Sequence, residues 1–193
     1  MGPALGESPA LEQGSRNDDE VIAGASQFRL DVMAINMAEA VASAGGFLCD
    51  RAMAGWDVRV FLAVIPDSTR SLQILGAKAF PLDCKSPEFH WPTAVLALSA
   101  SAELFTTDAR VREFVIDALR GDSEVTLWGK TPIGTGPQLK PVQHRITPAA
   151  LAFKNHALDA IAHPRHELST TEEFSARAML RPNGVASAGL MPL

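Results

Sequence analysis

The chain has 193 residues, 47% of them hydrophobic, with 17 Lys and Arg against 22 Asp and Glu for a net charge of −5. That length fits one domain with tails, and the apolar share excludes wholesale disorder. The negative balance supplies no basic field to hold a nucleic acid or an anionic membrane.

Residues 1–27 are rich in Gly, Pro, Ser and acids and show no apolar period, so they read as a flexible arm. Glu7, Glu12, Asp18, Asp19 and Glu20 stand where a secretory signal needs a basic start and an apolar core. Next, Leu30, Met33, Met37, Val41, Ala44 and Leu48 recur at steps of three and four, which predicts a helix over 30–48. Gly45-Gly46 weakens it, and Gly55 suits its end. Asn36, Glu39, Ser43 and the glycine pair load this stretch too heavily for a membrane span.

A nearly continuous β-branched run from Val58 to Ile65 reads as a strand buried on both faces. Residues 71–82 suit either a short helix or an edge strand. A second strand is expected over 93–99, although its alanines equally suit the start of a helix. Val111, Phe114, Val115, Ala118 and Leu119 then mark one helix face, with Thr107 or Asp108 as cap and Gly121 as terminator. Glu124–Trp128 reads as a third strand, followed by a Gly- and Pro-rich loop over 129–141. The last core helix starts at Thr147 with Pro148 in its first position, and Pro164 closes it. Beyond 163 the pattern dissolves, with room for a short helix over 171–180 headed by Thr171, Glu172 and Glu173.

This alternation predicts an α/β fold: a small, mostly parallel sheet of three to four strands flanked by helices. The domain is expected over 28–162, between the arm at 1–27 and a loosely structured tail at 163–193.

Ligands of open α/β sheets bind beyond the carboxyl ends of the strands. The loops expected there hold Asp67 to Arg70, then Ser99, Ser101 and Glu103, then Gly129 to Gly136. Gly129-Lys130-Thr131 carries the last letters of a nucleotide P-loop, but Glu124 stands where that motif needs glycine, and no helix follows at once. Gly134-Thr135-Gly136 remains a possible anion nest. Arg70, Ser99, Lys130 and Thr131 are the candidate contacts to a small anionic ligand.

No catalytic constellation, metal set or cofactor motif is identified. There is no G-x-S-x-G elbow, and no G-x-G-x-x-G stands before Gly55-Trp56-Asp57. His163-x-x-His166 is interrupted by Pro164 and has no cysteine near. Glu39 and Asp50 would sit about 16 Å apart along a helix and read as a solvated stripe. Whether the chain is an enzyme stays open. Cys49 reads as a buried small hydrophobe, and Cys84 lies beside Lys85 in a loop. Two cysteines in a chain with this much core point to free thiols and the cytoplasm.

Two functions remain. One is a cytoplasmic module that binds a small molecule or phosphate ligand. The other is a non-catalytic interaction or assembly module using Met33, Met37 and Met53, because apolar residues cover more than half of the helix expected at 30–48. That second reading implies a homo-oligomer, most simply a homodimer, or another protein partner.

Overall fold

The structure, a computed structural model, describes residues 28–83, 97–121, 123–130, 139–162, 169–177 and 190–193. The arm expected at 1–27, the histidine pair at 163 and 166, Cys84, Thr131 and the Gly134–Gly136 stretch all lie outside the described residues.

The first apolar stretch is two elements rather than one helix. Residues Arg29–Ala34 form strand β1, and helix α1 begins only at Met37 and runs to Met53. Leu30, Val32 and Ala34 face one side of the sheet while Met33 faces the other, and all are buried. A strand buried on both faces carries no polar alternation, so its apolar residues fell into helical phase with those of α1. Asn36 separates the two elements: its extended backbone and side-chain oxygen, which accepts from the Glu39 N–H at 2.9 Å, make it the helix cap. At the other end Gly55, with φ of 85°, turns the chain into β2.

Five parallel strands follow one another outward from β1. They are β1, β2 (Asp57–Leu62), β3 (Lys78–Pro81), β4 (Ala97–Ser101) and β5 (Glu124–Trp128). The remaining strands, β6 (Lys140–Arg145), β7 (Thr171–Arg177) and β8 (Leu190–Pro192), extend the sheet by antiparallel pairing. Among the described residues the result is a single eight-stranded mixed sheet in the order β3-β2-β1-β4-β5-β7-β6-β8. This corrects the expected small, mostly parallel sheet of three to four strands, because β6, β7 and β8 add antiparallel pairing, while the α/β class stands. The ambiguous segment 71–82 resolves into helix α2 (Arg70–Ile74) and edge strand β3. Strand β4 leads straight into α3 (Ala102–Thr107), and Asp108 then caps α4 (Ala109–Arg120), which ends at Gly121.

Two hydrophobic clusters cover the two faces. One lies between the sheet and α1, α2 and α5 (Pro148–Ala160), and the other between the sheet and α3 and α4. Helix α1 is enclosed on its sheet side by β1 and β2 and on its outer side by α5. Met33 and Met37 are buried and only Met53, at the helix end, is half exposed. Two of the three methionines that suggested an assembly surface, Met33 and Met37, are therefore packed within the chain. No helix among the described residues is long and apolar enough to cross a membrane.

Of the helix expected over 171–180, residues 171–177 form strand β7 instead, with Glu172, Phe174 and Ala176 facing inward, and 178–180 lie outside the described residues. Glu172 hid the alternation by placing a charge at a core position. Its carboxylate accepts the N–H groups of Gly46 and Phe47 at 2.8 Å each, midway along α1, and the Lys154 ammonium at 2.6 Å. Lys154 also donates to the Ala42 carbonyl at 2.7 Å. A buried charge is tolerable only when paired and hydrogen-bonded, and this pair satisfies both conditions while tying β7, α1 and α5 together. Arg51 and Glu124 form a second buried pair at 2.6 Å, with the guanidinium stacked over the Trp56 and Phe47 rings.

Candidate functional site

Strand order reverses between β1 and β4, the place where an open α/β sheet leaves a crevice beyond its carboxyl ends. A cleft of about 430 Å³ opens there, within the size range of small-molecule sites. Three separate stretches of the chain build it. The first turns of α1 contribute Glu39 and Ser43, α3 contributes Glu103 with Thr106 and Thr107, and the end of β5 contributes Trp128 and Lys130.

Glu39 is the most firmly held polar group in this lining. Its carboxylate accepts the Ile35 N–H at 2.9 Å through Oε2 and the Trp128 indole N–H at 3.0 Å through Oε1. With the Asn36 cap, this forms a reciprocal arrangement akin to a capping box, in which the acid reaches back across the helix start. Trp128 is 2% exposed, so its donor cannot be replaced by solvent without disturbing the wall. No described cation lies in ion-pair contact with Glu39. Ser101, the last residue of β4, accepts from the Leu104 N–H at 3.4 Å and so starts α3 at the floor of the cleft. Gly129, with φ of 87°, turns the chain off β5 and places Lys130 at the rim.

Of the residues expected to contact a ligand, Lys130 lines this cleft. Ser99 is fully buried one turn of strand below it, where it accepts a hydrogen bond from the Thr126 hydroxyl at 2.7 Å. Arg70 is exposed at the start of α2, beyond β2, and is not part of the lining. Reading β1 as helix moved the crevice one strand along, which drew Arg70 in and left Glu39 out. Trp128 and Glu39 were missed for different reasons. Trp128 looked like the last residue of a buried strand, while Glu39 looked like helix surface. Asn36-x-x-Glu39 was the signal that could have found it.

Glu39 and Asp50 are not a solvated stripe. Asp50 accepts from the Thr147 hydroxyl at 2.6 Å and pairs with Nε2 of buried His144 at 2.7 Å. These contacts pin the far end of α1 to the start of α5. Cys49 is a free buried thiol, with burial, then Asp50 and Glu172, pushing its pKa up to about 11. A thiol so protonated is a poor nucleophile.

Several solved structures resemble the chain, two of them over 77% of its length with a TM-score above 0.5. One is the A40926 pseudoaglycone deacetylase Dbv21, with a TM-score of 0.54 and 14% identity over 77% of this chain and 96% of that one. The other is a deacetylase–teicoplanin complex from the teicoplanin biosynthesis pathway, with a TM-score of 0.51 and 15% identity over 77% of this chain and 97% of that one. The likeness is one of fold. No family model matches the chain, and no curated protein matches it.

Proposed function

We propose that the chain is a small-molecule-binding α/β protein whose ligand occupies the cleft beyond β1, β4 and β5. The observation that carries this reading is the fixed Glu39 carboxylate, held by the Ile35 N–H and the Trp128 indole within a cleft at the reversal of strand order. Polar groups held at fixed positions in a concave wall are what orient a small ligand. Two structures with the same fold are deacetylases, one of them in complex with teicoplanin, which supports a small organic ligand. Among the described residues, the cleft offers carboxylates, hydroxyls, an indole and an ammonium group, the inventory of a recognition site. Of the contacts read from sequence, Lys130 keeps its place at the rim, and cytoplasmic location remains part of the proposal.

The test is a thermal-shift panel of nucleotides, sugars, sugar phosphates and amines, repeated on a Ser43→Trp variant whose indole fills the cleft. A compound that binds the native state raises the melting temperature by mass action. At least one member should shift the native protein and lose its effect in the plugged variant. Hits that persist after plugging, or a silent panel, would show that the cleft is not the binding site.

A further inference from the structure

We infer that the cleft selects ligands carrying an ammonium group over neutral or phosphorylated ones, with Glu39 as the residue that recognises the charge. This rests on the cleft being the binding site. Glu39 is fixed by two N–H donors and lies in no ion pair with a described cation. Glu103, in the same lining, adds a second carboxylate, and the exposed Lys130 is the one ammonium group among the described lining residues. The lining thus has formal charge −2 + 1 = −1, and its fixed charge is the negative one. Donors to Glu39 leave further lone pairs on both oxygens, since a carboxylate accepts about four hydrogen bonds. An ammonium group brings three donors and the complementary charge. A phosphate brings acceptors to a wall already lined with acceptors, and meets repulsion from both acids.

Position reinforces charge. Trp128 and Ile35 hold Glu39 beyond the ends of the neighbouring strands β1 and β4, so the carboxylate meets the ligand without first losing side-chain freedom. Lys130 is exposed and borne on a turn, and can swing away from an incoming cation. The hydroxyls of Ser43, Thr106 and Thr107 leave room for a polar frame around the amine.

Matched triplets separate charge from shape. 6-Amino-6-deoxyglucose, glucose and glucose 6-phosphate share one frame, and 5′-amino-5′-deoxyadenosine, adenosine and adenosine 5′-phosphate share a larger one. Calorimetric titration of the full chain should rank amine above alcohol above phosphate in at least one triplet, by tenfold or more between amine and phosphate. The preference should weaken with added salt. Glu39→Gln, which retains an oxygen for the Trp128 donor, should reduce the ranking to near parity with the fold intact by circular dichroism. Lys130→Ala should tighten amine binding. A phosphate preference, or a ranking unchanged in Glu39→Gln, overturns the charge assignment while leaving the cleft as the site. Absence of binding by every member overturns the inference together with the reading beneath it.

Discussion

Gly46 shows how tightly single positions are set. A Cβ there would lie 2.7 Å from two carbons of Ile146, whereas one at Gly45 would meet the Lys154 Cγ at the longer distance of 3.3 Å. Alanine in place of glycine favours an isolated helix by about 1 kcal/mol, but overpacking a filled core costs about 1–3 kcal/mol. Gly46→Ala should therefore lower stability by up to about 2 kcal/mol in urea unfolding, while Gly45→Ala should be better tolerated. Combining Gly46→Ala with Ile146→Ala should cost less than the two singles added, because the second removes the atoms the first strikes. Strict additivity would mean that α1 shifts away from Ile146 instead. In the sequence the glycine pair read as a weak point of a helix. In the structure it is where α1 packs closest to Ile146 and where Glu172 reaches the helix backbone, a long-range relation that local propensity does not encode.

At the scale of elements, what the sequence disclosed was what local physics decides. Helix α4 was legible because its apolar face, the Asp108 cap and Gly121 are all local signals. Strand β5 and the Thr147-Pro148 start of α5 were legible for the same reason. The boundary between β1 and α1 was not, because a doubly buried strand and a buried helix share one composition. The cleft lining followed the same division: Lys130 lies beside a glycine turn in a loop that the sequence already sets at the strand ends, whereas Glu39 depended on the misplaced boundary. Caps give a matched test. Asn36 caps α1 and Asp108 caps α4, and each accepts a backbone N–H at 2.9 Å. Replacing either by Ala should cost about 0.5–2 kcal/mol of stability. Asn36→Ala should also loosen the turn that holds Glu39 and weaken any ligand found in the cleft, whereas Asp108→Ala should leave that affinity unchanged. Equal losses of affinity in both would mean that the cleft responds to overall stability and not to the local placement of Glu39.

For the whole molecule, the question is where the folding unit stops. Composition placed the end of the domain near residue 162, since the residues that follow lack a helical or strongly apolar pattern. The sheet includes residues beyond that point: β7 pairs with both β5 and β6, and β8 pairs with β6. Without β7 and β8, strand β6 loses both of its neighbours and β5 gains a bare edge. Inside the molecule, Lys154 loses the carboxylate that balances its buried charge, and Gly46 and Phe47 lose the acceptor that Glu172 provides. Removing one partner of a buried pair alone costs about 3–5 kcal/mol, a large part of the about 5–15 kcal/mol that holds a typical domain together. A chain ended after Ala162 should therefore show no cooperative thermal transition by circular dichroism or calorimetry. Glu172→Ala in the full chain should keep the transition but lower its midpoint sharply. Pairing Glu172→Leu with Lys154→Met should recover much of the loss, because no charge is then left buried alone. A truncated chain that melts cooperatively near the full-length midpoint would mean that residues 28–162 fold without β7, and that the Glu172 contacts stabilise the sheet edge without being needed for the fold.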